Sequence, residues 1–339
     1  MTIFRTVKSL IMEKPIFVVF DVTRLCNERC RMCNIWRTKS DDMTLEEIKV
    51  AAKRLAQNGV SYVSLQGGDP TMRADILEIV DIFNAVKIKP MIITNGILFK
   101  DGLAEGLARR RCNVSVSLDT LDKETFAYIR GVDKLETVME NIKNAPKKRK
   151  GNWSIGCTVT GLSTLEEIKR LEEFSARNNF MFVIRPYVHN LGNAGKEDDR
   201  LVYNSEKEVV SIFEYMRNNT RKKNYIASLI YDEGLRYVKK VIYGGGGGFR
   251  VCDALRRSFV MSPRGLFAPC LEFTNESQPL EDLLKSRKTW LVRTSACNKN
   301  TPCFYGCARE IGILWHEKWR ILIHFPGIVM QLFKYGNFF

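Results

Sequence analysis

Apolar, β-branched runs alternate with amphipathic stretches from residue 16 to residue 187. The run PIFVVFDVT predicts a buried strand over 16–22. TLEEIKVAAKRLAQNG (44–59) then predicts a helix, with Thr44 as N-cap, Glu47 three residues on and Gly59 just past its end. The alternation continues. Strands are predicted at 62–68, 91–94, 113–118, 154–160 and 181–187. Helices are predicted in DILEIVDIFNAVK, GLAEGLARR, TVMENIKNAPKK and, capped by Thr164, TLEEIKRLEEFSARNN. Six strands joined by helical crossovers predict a parallel α/β sheet, since parallel neighbours need such connections. Ligands bind at the carboxyl edge of such sheets.

Past residue 187 the pattern changes. The polar stretch 192–204 reads as a loop leading to a helix at 205–218, and GGGGG (244–248) reads as a flexible linker. A phosphate cradle is the weaker reading, because no Lys-Ser/Thr follows. The organisation expected is a basic amphipathic segment at 1–15, a barrel at 16–220, a linker and cysteine-rich module at 221–312, and an aromatic, basic tail at 313–339.

The chain's 339 residues, 45% of them hydrophobic and 27% charged, suit one large domain with an appended module and argue against wholesale disorder. A net charge of +15 favours anionic partners. MTIFRTVKSLIMEKPIF is broken by Arg5, Lys8, Glu13 and Lys14 and builds no signal-peptide core, so the ten cysteines are expected in a reducing cytosol. There, spaced groups of cysteines serve metals or clusters rather than disulfides. The tail ILWHEKWRILIHFPGIVMQLFKYGNFF is too interrupted to span a bilayer. It suits either an anionic membrane interface or packing against the barrel or a second copy.

Three cysteines, Cys26, Cys30 and Cys33, share the stretch CNERCRMC directly after the first strand. The same spacing would lie on one face of a helix, and free cysteine is commonly buried. Asn27, Glu28, Arg29 and Arg31 nevertheless break any apolar stripe. Zinc sites more often pair cysteines at two-residue spacings. A four-iron cluster held by three thiolates keeps one iron free for a ligand.

Cys26-x3-Cys30-x2-Cys33 at the end of a first strand resembles the signature of the radical S-adenosylmethionine superfamily. The resemblance implies a partial (β/α)6 barrel. It also implies a [4Fe-4S] cluster whose open iron is chelated by the methionine end of S-adenosylmethionine. Gly67-Gly68-Asp69-Pro70 is similar to the element that holds the methionine amino group, with Asp69 where Glu is more usual. Ser117 and Asp119 match positions that bind the ribose hydroxyls, and either residue alone also suits a strand-end cap. Asn95, Thr160 and Arg185 are similar to cavity-lining residues. Met32 stands where an aromatic residue usually packs near the adenine.

Cys252, Cys270, Cys297, Cys303 and Cys307 form a second group. Their spacing resembles the C-terminal extension called SPASM, or its shortened twitch form. That resemblance implies one auxiliary [4Fe-4S] cluster on Cys252, Cys270, Cys303 and Cys307, with Cys297 in reserve. Zinc is the rival occupant. RSFVMSPRGLFAPC resembles the module's β-hairpin, turning at Pro263-Arg264-Gly265. Cys112 and Cys157 stand apart as packing residues.

The expected activity is reductive cleavage of S-adenosylmethionine to a 5′-deoxyadenosyl radical that takes hydrogen from an unactivated carbon. Charge and tail tilt the substrate toward a lipid, a lipid-linked molecule or another anion. Peptide maturation and oxidation of a carbohydrate alcohol are the alternatives, and a non-catalytic iron-sulfur or zinc protein is the rival class. The resemblance further implies an electron donor such as flavodoxin or ferredoxin, and nucleic acid is disfavoured as a partner.

Overall fold

The computed structural model describes residues 9, 14–39, 41–100, 102–188, 198–203, 206–223, 225–243 and 252–300. Cys303, Cys307, the glycine run 244–248, the tail 313–339 and nearly all of 1–15 lie outside the described residues.

The alternation in the sequence becomes β1 (Phe17–Thr23), α1 (Leu45–Gln57), β2 (Tyr62–Gly67), α2 (Ile76–Ala85), β3 (Lys89–Thr94) and α3 (Leu103–Ala108). It continues with β4 (Asn113–Ser117), α4 (Lys123–Arg130), α5 (Leu135–Asn144), β5 (Trp153–Val159), α6 (Leu165–Arg177) and β6 (Met181–Pro186). All neighbouring pairs from β1 to β6 are parallel.

Local chemistry sets the helix ends. Thr44 and Glu47 close a reciprocal capping box at the start of α1, worth about 1 kcal/mol. Thr164 caps α6 through the Glu47-equivalent amide, the N–H of Glu167. Each helix turns one apolar stripe onto the sheet, as with Ile48, Ala52 and Leu55 of α1. Each fully buried aliphatic side chain of this kind contributes roughly 1.5–3 kcal/mol.

Several helices escape a reading by periodicity. One is α4, an eight-residue helix with Phe126 and Ile129 as its buried apolar residues. Another, α8 (Tyr225–Tyr243), forms an antiparallel pair with α7 (Glu206–Lys223). The pair is fixed by an Arg217–Asp232 ion pair and by Phe213 lying where a Cβ on Gly234 would sit.

The expected hairpin is present as β7 (Ser258–Met261) and β8 (Phe267–Ala268), antiparallel to each other, with Gly265 in the turn at φ +73°. Its place is not one the sequence discloses. β7 pairs in parallel with β1, so the hairpin extends the barrel sheet, whose order is β6-β5-β4-β3-β2-β1-β7-β8. The sheet is an open partial barrel with β6 and β8 at its edges. Beyond it lie α9 (Leu280–Lys285) and α10 (Arg287–Asn300). Among the described residues no helix is long and apolar enough to cross a membrane.

Candidate active site

Strand alternation separates two faces of the sheet. Val18, Phe20 and Val22 of β1, Val63 and Leu65 of β2, Val114 and Val116 of β4, and Trp153, Ile155, Cys157 and Val159 of β5 join the core beneath the helices. The opposite, concave face therefore carries Asp21, Ser64, Gln66, Ser115, Ser117, Ser154 and Thr158. Val19, Met91, Ile93 and Val183 stand in register with these residues, so the face mixes polar and apolar side chains.

Every predicted cofactor residue from the first six strands lies at or just past the carboxyl end of a strand, except Arg185, which lies within β6, and Met32, in the cluster loop. β1 changes register between Asp21 and Thr23, one residue before the chain leaves for the cluster loop. Such irregularities re-aim the strand end. The loop is then braced against β2. The Gly68 N–H donates to Thr23 O and the Asp69 N–H to Leu25 O, both at 2.8 Å. A Cβ on Gly67 would come within 2.2 Å of Thr23 O, and one on Gly68 within 2.0 Å of Leu25 O. The close approach that these glycines permit is made by the chain's own backbone.

Asp69 is 1% exposed. Its carboxylate accepts from the Thr71 N–H (2.8 Å) and hydroxyl, the Thr94 hydroxyl (2.9 Å) and the Asn95 N–H (2.6 Å). Asn95 in turn donates through Nδ2 to Asn27 Oδ1 of the cluster loop at 2.6 Å. Asp69 thus ties the ends of β2 and β3 to that loop through protein contacts. Burial pushes its carboxyl up, and these hydrogen bonds oppose the shift.

Asp119 is committed in the same way. Oδ1 accepts from the Thr158 N–H at 2.8 Å, and Oδ2 lies 2.6 Å from Arg130 Nη2. Ser117, half-buried beside Gly156 in register, is the hydroxyl that remains on this stretch. Thr160 is buried, and its hydroxyl accepts from the Leu162 N–H. Met32 packs with Ile129, Tyr187 and Leu201. Pro70 starts a short 3-10 turn capped by Asp69.

The cysteine triplet has the donor chemistry of a cluster site. Cys26 Sγ accepts from the Glu28 N–H at 3.4 Å and Cys33 Sγ from the Ile35 N–H at 3.5 Å. Hydrogen bonds to the sulfurs are among the levers that tune iron-sulfur centres. Arg29 Nη1 donates to the Cys26 and Glu28 carbonyls, and Trp36 Nε1 to the Cys30 carbonyl, stiffening the loop. Burial pushes the Cys26 thiol up to about 11 and raises Cys30 and Cys33 as well, so thiolates here call for a metal to hold them. Among the described residues no three Cys, His, Asp or Glu side chains already converge on one metal-sized centre. Cys30 Sγ instead donates to Glu28 Oε2 at 3.1 Å.

Of the late cysteines, Cys252 lies just before β7 and Cys270 just after β8, both half-buried, and Cys297 lies on α10. Cys112 and Cys157 are buried in the core, as packing residues should be.

Asp21 is one site residue that sequence reasoning missed; a lone acid inside an apolar strand is its signal. It is 1% exposed, with the Gln66 side chain beside its carboxylate and Arg24 Nη2 4.0 Å away. Burial pushes its carboxyl from 3.8 up to about 6. The folded state therefore holds more protons than the unfolded state between those values, and stability falls as pH rises through that window. Asp21→Asn should stabilise the protein by up to about 3 kcal/mol at pH 8, with the gain vanishing near pH 4. Urea denaturation of both proteins across this range measures it, and a gain independent of pH would refute the assignment.

The comparisons with known proteins agree with this geometry. Residues 20–175 match the family model described as Radical SAM superfamily. A probable GTP 3',8-cyclase of Sulfurisphaera tokodaii is 27% identical over 276 residues, covering 78% of this chain and 83% of the relative. The GTP 3',8-cyclase of Pasteurella multocida is 34% identical over 136 residues, 38% of this chain and 40% of the relative. Among solved structures, Streptococcus suis SuiB bound to S-adenosylmethionine has a TM-score of 0.61 at 20% identity, covering 83% of this chain and 69% of that one. Native anSMEcpe with bound AdoMet has a TM-score of 0.61 at 18% identity, covering 87% and 88%. At these identities the structural likeness speaks for the fold.

A partial parallel barrel with a three-cysteine loop after its first strand defines a radical SAM domain, and residues 20–175 are one. That domain implies enzyme chemistry with S-adenosylmethionine and a [4Fe-4S] cluster.

Proposed function

We propose that this enzyme takes a hydrogen atom from a polar substrate lodged against the concave face of the half-barrel. The supporting observation is the run of hydroxyl, amide and carboxylate side chains on that face, from Asp21 and Gln66 across Ser115 to Ser154 and Thr158. The lipid expectation rests on the tail, which lies outside the described residues.

A bound, reduced cluster would supply the one electron needed for reductive cleavage of S-adenosylmethionine. Cys26, Cys30 and Cys33 would hold the cluster. Asp69, Asn95 and Asn27 fix the loop that carries them. The backbone of Gly67 and Gly68 and the hydroxyl of Ser117 would meet the cofactor at the strand ends. Cys252 and Cys270, with Cys303 and Cys307, would hold the auxiliary cluster.

A guanine nucleotide is the second reading, because relatives named GTP 3',8-cyclase match most of the chain. Reconstituted protein, reduced anaerobically with dithionite, should form 5′-deoxyadenosine from S-adenosylmethionine. The yield should rise with a polar substrate, GTP being the first to test, and not with phosphatidylglycerol vesicles. Stimulation by the vesicles alone would overturn the polar reading.

A further inference from the structure

The end of α4 clamps the cluster loop. The Arg29 N–H donates to Arg130 O at 3.0 Å, and the Arg31 N–H to Ile129 O at 2.9 Å. Gly131 follows at φ +69°, where a Cβ would come within 2.4 Å of Arg29 O. These contacts hold the loop backbone, and the Arg130 side chain reaches beneath it.

That guanidinium is buried between two buried carboxylates. Nη1 lies 3.4 Å from Glu28 Oε2 and Nη2 lies 2.6 Å from Asp119 Oδ2. Glu28 Oε2 is also the atom that accepts from Cys30 Sγ. One carboxylate oxygen is therefore shared by the buried cation and a cluster-ligand thiol.

Ligation converts Cys30 to a thiolate, and reduction adds one further negative charge to the cluster. Both steps place anionic charge beside Glu28 in a site of low dielectric, where one fixed charge acts strongly. Arginine stays protonated under all working conditions. Its field reaches both Cys30 and Cys33.

We propose that Arg130 is a positioning residue for the radical-generating cluster: through Glu28 it holds the cluster loop, and its fixed positive charge stabilises the reduced cluster. The redox step is a one-electron uptake from an external reductant such as dithionite, with no proton transferred. Net charge near a cluster is a recognised determinant of its potential. The inference rests on Cys26, Cys30 and Cys33 being the ligands. Cys30→Ala tests that premise separately, since it removes the EPR signal that responds to S-adenosylmethionine whatever Arg130 does.

The test uses full-length wild type, Arg130→Lys and Arg130→Met, reconstituted anaerobically. Iron and sulfide are counted, and the midpoint potential is read from the EPR signal that changes on adding S-adenosylmethionine. Arg130→Met should keep the wild-type iron content and titrate at a lower potential, while Arg130→Lys should stay near wild type. If Met loses the responsive cluster and Lys keeps it, the requirement for positive charge is likewise supported. An unchanged potential in an iron-replete Arg130→Met overturns the proposal. So does an equal shift, or an equal loss of the cluster, in both variants.

Discussion

Cys30→Ala lowers 5′-deoxyadenosine formation to the level of cluster-free protein, while the same change at Cys157 leaves the activity in place. The contrast follows from where the two thiols lie. Cys30 sits in the loop between β1 and α1, with its Sγ on Glu28 and its backbone held by Trp36 and Cys33. A three-thiolate site cannot retain a four-iron cluster with one ligand removed and one iron already open. Cys157 lies on the helix side of β5, 2% exposed and within the apolar core. Its truncation leaves a small cavity, costing about 1–2 kcal/mol of stability and no electron path. Product formation under dithionite measures the first effect and urea denaturation the second. A Cys30→Ala protein that still turned over would remove the triplet from the chemistry.

Asp69→Ala should cost about 3–5 kcal/mol of stability, among the largest effects expected of a single change here. The carboxylate is buried and takes hydrogen bonds from Thr71, Thr94 and Asn95, and its loss strands these buried donors. The damage also travels, because Asn95 holds Asn27 of the cluster loop. Weaker cluster retention should therefore accompany the lower stability. Asp69→Glu adds a methylene to a site with no slack and should itself cost about 1–3 kcal/mol. Chemical denaturation and iron content after desalting check both variants. If Asp69→Ala were as stable as wild type and merely bound S-adenosylmethionine less tightly, Asp69 would be a cofactor contact rather than a strut.

These two residues show how unequally the site could be read from the chain. Cys26, Cys30 and Cys33 are adjacent in sequence, so their chemistry is local and legible. Asp69 and Asp119 were also legible as residues of the strand ends, but their partners were not: Asp69 meets Asn95, and Asp119 meets Thr158 and Arg130. Whether a carboxylate faces a ligand or braces the protein depends on contacts that spacing does not encode. Arg130 was missed for a related reason. Its helix, α4, has too short an apolar stripe to register as periodic, although Asp122 caps its start and Gly131 ends it.

By itself the sequence determined the alternation of strands and helices, the capped ends of α1 and α6, the parallel sheet and the cysteine loop. All of these rest on short-range periodicity, capping chemistry or neighbouring residues. Tertiary structure alone decided that β7 docks beside β1, that Asp21 is buried on the concave face, and that Glu28, Arg130 and Asp119 form one buried ionic group. Glu28 and Arg130 are 102 residues apart in the chain. Their meeting is settled by how the sheet curls and which helix end it brings under the loop, and no local pattern carries that information.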